Sequence, residues 1–164
     1  MNLSVGFRAL FEPPRGKPVF LRAAASTLYR FFVNGEFKGC GPARGPHGYY
    51  RVDEWDLTRD LSAGTNVVAI EVAGYNINSF YILNQPPFIQ AEISAGSRIL
   101  AATGDGEKPF EAKLLTQRVQ KVERYSFQRA FSEVYHLRAG VDSWRGDPKQ
   151  TFRPEPCSIS AEKQ

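Results

Sequence analysis

Asp53, Glu54, Asp56 and Asp60 form the densest acidic cluster of the chain. Hydrolysis of a glycosidic bond by acid–base chemistry uses two carboxyl groups facing each other across the sugar, one with a raised pKa. Alternation along a strand sends neighbouring side chains to opposite faces. The four therefore read first as turn caps and surface charge. A structural calcium, which takes about six to eight oxygen ligands, would draw on Asp53, Asp56 or backbone carbonyls. A catalytic pair is the third reading. His47 and His136 lie far apart, and neither a Gly-x-Ser-x-Gly elbow nor a Gly-rich phosphate loop occurs. Nucleophilic catalysis has no visible apparatus. Cys40 and Cys157 have no CxxC spacing and no histidine cluster, which removes a structural zinc. Cys157 lies in a polar, proline-containing tail, so two free thiols are expected.

The chemistry left over is aromatic. Tyr49, Tyr50, Trp55, Tyr75 and Tyr81 cluster in or beside loops, with Arg44, Asn76 and Asn78 close in sequence. Sugars pack C–H faces on aromatic rings and pair hydroxyls with planar polar side chains. Arg44, Tyr49, Tyr50, Trp55, Tyr75 and Asn76 are the carbohydrate-binding candidates. The plainer alternative is that Tyr50 and Trp55 plug the edge of the fold.

The elements that must position these residues are strands. Leu28 to Val33 and Glu36 to Gly39 flank Asn34-Gly35, a pair that tolerates the positive φ of a type I′ turn and so marks a two-residue hairpin. Tyr29, Phe31 and Val33 are assigned to the core, because the opposite face carries Arg30. Phe32 and Phe37 then meet across the turn and need a cover, which the irregular loop from Cys40 to Gly48 would supply. Val19 to Ala25 places Val19, Leu21 and Ala23 inward and Arg22 outward. Thr58 is a plausible N-cap for one helical turn and Gly64 a left-handed stop. Val68, Ile70 and Val72 alternate inward, with Glu71 outward. Phe88 to Ser94 and Arg98 to Ala102 form a second hairpin around Ala95-Gly96. Glu111 to Leu115 is a short strand. Arg118 to Leu137 holds two β stretches, the later one Phe131 to Leu137. About ten short strands separated by turn chemistry predict an all-β, two-sheet antiparallel sandwich. The expected division is a sandwich over 1–147 and a polar tail or linker over 148–164.

The chain of 164 residues is of single-domain size, and its eleven prolines and fourteen glycines favour β structure over long helices. The net charge of +4 is mild, and no run of five basic residues occurs. Arg118, Lys121, Arg124 and Arg129 read as a solvated strand face, and no nucleic-acid partner is expected. No apolar stretch reaches the length of about 18 residues that a spanning helix needs, so no membrane is expected. The N-terminus lacks the basic-then-apolar pattern of a signal peptide. In a piece of a longer protein this says nothing of the parent's address.

One string of residues carries a resemblance. It runs from Tyr29-Arg30-Phe31-Phe32-Val33-Asn34-Gly35-Glu36 through Gly41-Pro42-Ala43-Arg44-Gly45 and Tyr49-Tyr50. It continues with Trp55-Asp56-Leu57-Thr58, then Leu61, Gly64 and Asn66. This string resembles the non-catalytic N-terminal β-sandwich of bacterial α-L-rhamnosidases, itself similar to the galactose-binding jelly rolls of multidomain glycosidases. The clear match spans residues 17–75 and a looser one runs on to 138. Lys38 departs from it, standing where the family usually has an apolar residue. The resemblance implies an accessory jelly roll that binds carbohydrate weakly or braces a catalytic domain. It places an (α/α) barrel and all catalysis elsewhere in the parent chain. The partner it implies is carbohydrate or the catalytic domain, and no cofactor is expected apart from the structural calcium weighed above. The alternative is a purely structural interaction module with no ligand.

Overall fold

The computed structural model describes residues 2–46, 48–104 and 106–155. Nine strands are formed: β1 (Asn2–Phe11), β2 (Phe20–Ala25), β3 (Leu28–Val33), β4 (Glu36–Gly41), β5 (Asp53–Asp56), β6 (Asn66–Tyr75), β7 (Ile89–Ala95), β8 (Arg98–Ala102) and β9 (Glu111–Leu114). They make two sheets, a five-stranded one in the order β4-β3-β6-β1-β9 and a four-stranded one in the order β5-β2-β7-β8. Every pairing of these strands is antiparallel. The predicted all-β sandwich is the observed fold.

Val33 pairs with Glu36, and Asn34 and Gly35 carry φ of 50° and 89°, as a two-residue hairpin turn requires. Asn34 also accepts the Val67 N–H at 2.9 Å, which pins the tip of the hairpin to β6. Tyr29, Phe31 and Val33 are buried, as are Leu21, Ala23, Val68, Ile70 and Val72, and together they form the core between the sheets. The alternation rule placed all of these correctly. Phe32 and Phe37 do meet across the hairpin, edge to face at 5.9 Å. Pairing slips between Phe31–Gly39 and Phe32–Phe37, which leaves Lys38 as the extra residue of a bulge. There it pairs with Asp60 at 2.8 Å, so a charge at this position costs the core nothing.

Some expectations fail, each for a local reason. Thr58 opens a turn and not a helical turn. Its backbone N–H donates to Asp56 and its hydroxyl accepts from Val19. The second hairpin turns at Gly96-Ser97, one residue later than expected. Residues 118–137 hold isolated bridges, Arg118 with Tyr135 and Arg124 with Phe131, in place of two strands.

The largest correction concerns the outer face of the five-stranded sheet. Glu71, expected in water, is 3% exposed. β6 is buried on both faces because the C-terminal segment folds back over it. Trp144, in a short 3-10 helix over Ser143–Arg145, packs with Phe32, Ala69, Leu115 and Phe152. This segment, and not the 40–48 loop, covers Phe32. Nor do residues 148–155 fray: Phe152 is buried against the Trp144 ring at 5.4 Å, and the Glu155 N–H donates to the Ala112 carbonyl.

A candidate binding groove at the open edge of the sandwich

β4 and β5 end the two sheets on the same side, and Trp55 closes the gap between them. Its indole lies 5.1 Å from the Phe31 ring and donates Nε1–H to the Tyr29 hydroxyl at 3.0 Å. Tyr29 in turn donates to Asp53 Oδ2 at 2.7 Å. Burial raises the Tyr29 phenol above its ordinary pKa, the Trp55 N–H opposes this, and the Asp53 carboxylate adds to it. The close approach depends on missing side chains. A Cβ on Gly39 would lie 2.8 Å from the Trp55 ring, and one on Gly41 only 2.2 Å from Asp53 Oδ2.

β4 pairs with β3 only as far as Gly41 opposite Tyr29, so the Leu28–Ala73 end of β3 and β6 has no neighbour on that side. A groove of about 450 Å³ opens there. Its lining includes Tyr29 and Val72, which belong to the core between the sheets, Trp55, which packs against that core, and Pro42. Alternation along β3 puts Leu28 on the opposite face together with Arg30, and the charged wall there is formed by Arg30, Glu71, Arg118 and Glu133.

The charged wall is an ion cluster centred on Glu71. Its Oε2 accepts from Arg30 Nε at 2.6 Å and Arg118 Nη2 at 3.3 Å, and its Oε1 from Arg145 Nε at 2.8 Å. Arg118 also reaches Glu133 at 3.4 Å, and Arg145 reaches Asp142 at 2.9 Å. Arg30 donates to the Tyr135 hydroxyl, which donates to Glu133. Burial lowers the Arg30 pKa, but the Glu71 carboxylate outweighs it and the net shift is upward. Three arginines thus face three carboxylates. This explains why a carboxylate sits inside: an unpaired buried charge is costly, and each oxygen here has a cation. Arg118, expected on a solvated strand face, is mostly buried in this cluster, with its guanidinium 4.6 Å from the Tyr135 ring centre.

Of the residues put forward from the sequence, Trp55 and Tyr75 line the groove. Tyr75 contributes little free surface, being 4% exposed and packed on Phe131. Arg44, Tyr49, Tyr50 and Asn76 lie outside it, in the loops at its rim. Arg44 sits 5.7 Å over the Tyr81 ring, and Tyr50 donates to Gln85 and packs edge-on against Phe88. Phe80 meets Phe127, and Arg124 donates to the Asn78 carbonyl. The 42–52, 75–88 and 118–131 loops therefore form one continuous rim. Sequence reasoning missed Tyr29, Arg30, Arg118 and Glu133 as groove residues. The one available signal was the pair Gly39 and Gly41, same-face glycines in a strand, which mark a close approach.

The acidic cluster is dispersed. Asp53 accepts from Tyr29, Glu54 from Arg22, Asp56 caps Thr58, and Asp60 pairs with Lys38. Among the described residues no group of three or more His, Cys, Asp or Glu is placed to hold a metal ion. Among the same residues no helix is long and apolar enough to cross a membrane. Cys40 is a free thiol on the surface, while His47 and Cys157 fall outside the described residues.

Fold and groove together define a two-sheet antiparallel β-sandwich module with one open edge. No family model matches the sequence, and no curated protein does. Solved structures do. A GH78-family rhamnosidase from Bacillus sp. GL1 superposes with a TM-score of 0.72 and 31% identity over 82% of this chain, which covers 14% of that one. The α-L-rhamnosidase of Aspergillus terreus gives a TM-score of 0.58 at 16% identity, and 16% of that chain is covered. An α-L-rhamnosidase of Streptomyces avermitilis, solved with L-rhamnose, gives 0.53 at 20% identity, with 15% of that chain covered. The chain is thus similar to one domain-sized segment of much longer rhamnosidases, as the resemblance in its sequence implied.

Proposed function

We propose that this chain is an accessory β-sandwich domain of an α-L-rhamnosidase-like glycoside hydrolase, and that it binds carbohydrate weakly. The observation that carries the reading is the 31% identity over 82% of the chain to a rhamnosidase of which it spans only 14%. An apolar groove bearing a few convergent polar groups suits a small ligand, and Trp55 supplies a ring at its wall. The four clustered carboxylates are committed to structural partners, so catalysis is assigned to another part of the parent chain. Incubating the purified chain with an aryl α-L-rhamnoside tests this. Release above buffer that is lost on changing Asp53, Glu54, Asp56 or Asp60 to the amide would make the domain an enzyme in its own right.

A second reading, bracing of the catalytic domain without a ligand, draws on the loop rim. Tyr49, Phe80, Phe127 and Tyr125 are each more than two-thirds exposed there, at 75%, 75%, 68% and 85%. Clustered exposed aromatics suit a contact with another protein surface. Binding of the separately expressed remainder of the parent chain, lost on changing Phe80 and Phe127 to serine, would favour bracing.

A further inference from the structure

The groove has a charge balance that restricts what it would hold. Arg30 and Arg118 are the cations on its surface, and Asp53, Glu71 and Glu133 the anions. Both arginines are already paired with Glu71, Arg118 also with Glu133, and Asp53 holds the Tyr29 hydroxyl. An anionic ligand would find no unmatched cation and would have to displace a carboxylate from its arginine. A cationic ligand would face the same competition from the arginines. Hydroxyl groups, which donate and accept at once, fit such a wall without breaking a pair. Pro42 and Trp55 in the lining, with Leu28 beside Arg30, offer contact to an apolar ligand face. The volume of about 450 Å³ matches one or two sugar rings, within the range of about 300–1,000 Å³ common for small-ligand sites.

We propose that the groove between the Leu28–Ala73 edge and the ion-paired Arg30, Arg118 and Glu133 is a site for a neutral saccharide of one or two rings. Such a ligand stacks an apolar face on Trp55 and turns its hydroxyls to Arg30, Arg118 and Glu133, with Leu28 beside them. This rests on the carbohydrate-binding reading above and goes further, naming the site and the charge class of its ligand. It also accounts for the unburied Leu28, an apolar side chain 42% exposed at a strand end.

The test is an amide and indole NMR titration of the whole chain with L-rhamnose and, separately, with D-galacturonate. The two tryptophans serve as internal probes, since Trp55 lines the groove and Trp144 is 2% exposed beneath the C-terminal segment. L-rhamnose is expected to shift the Trp55 indole and the amides of Leu28, Ala43 and Ala73 in a saturable way, leaving Trp144 unmoved. D-galacturonate should bind at least tenfold more weakly. Leu28→Arg, at a half-exposed position, should weaken L-rhamnose at least tenfold with an unchanged amide spectrum elsewhere. Equal affinity for the two sugars overturns the neutral-ligand assignment. Shifts confined to Tyr49, Phe80 and Tyr125 overturn the groove as the site while leaving carbohydrate binding standing. No shift with either sugar overturns both the groove site and the carbohydrate-binding reading.

Discussion

Glu71 shows how one residue can depend on its partners. It is almost fully buried, and three guanidinium groups supply what water would otherwise give it. Removing one member of a buried pair leaves the rest uncompensated, at a cost of about 3–5 kcal/mol. Glu71→Gln should therefore lower stability by about 3 kcal/mol or more in urea denaturation. The contrast is Arg22, which pairs with Glu54 and Glu92 but is about half exposed. Water screens that pair, and Arg22→Ala should cost less than about 1 kcal/mol. A change at Glu71 no larger than that at Arg22 would show that the cluster is loosely held. Asp56 gives a pH prediction. The hydroxyl and backbone N–H of Thr58 hold its carboxyl below the ordinary value. A folded pKa below the unfolded one adds stability at pH above about 3.9 and loses it as pH falls through the folded value. The Asp56 carboxyl carbon should therefore titrate below the usual aspartate midpoint in NMR, and Thr58→Ala should return it towards that midpoint.

At the scale of elements, the C-terminal segment behaves as a third layer on the five-stranded sheet. Trp144 fills the space above Gly6, where an added Cβ would lie 2.7 Å from its ring. The Gly35 N–H donates to the Arg145 carbonyl, and Gly146 rests against the Asn34-Gly35 backbone with no room for a Cβ. The hairpin tip, β6 and the 3-10 turn thus hold one another. Trp144→Ala should destabilise by about 3–5 kcal/mol, the usual cost of emptying an aromatic core site. Truncation after Asp147 removes Phe152 and should cost about 3 kcal/mol, where a polar tail would cost nothing. Unchanged denaturation midpoints for the truncated chain would return residues 148–155 to the status of a linker.

At the scale of the whole molecule, the sandwich presents an open edge with a groove and an aromatic loop rim beside it. The chain spans 14–18% of the rhamnosidases it resembles. The expected outcome for the isolated chain is no hydrolysis of an aryl α-L-rhamnoside at any pH, read as absence of released phenol. Asp53, Glu54, Asp56 and Asp60 are each held by a different partner, and retaining or inverting hydrolysis needs two carboxyl groups held about 5–10 Å apart across one sugar.

The sequence by itself determined what depends on neighbours along the chain. Asn34-Gly35 set a turn because few residue pairs accept two successive positive φ values. Period-2 alternation placed Tyr29, Phe31, Val33, Val68, Ile70 and Val72 in one core, because a strand has only two faces. The same rule misassigned Glu71, because alternation says which residues share a face and not whether that face meets water. Only the tertiary structure decided that, by laying Trp144 and Phe152 over β6 from residues more than 70 positions away. The groove has the same origin. Trp55 was legible as an aromatic beside a loop, but Arg30, Arg118 and Glu133 join it only because a segment with two isolated bridges folds back beside the end of β3. No local spacing encodes that approach; it follows from burying the outer face of a sheet that would otherwise stand in water.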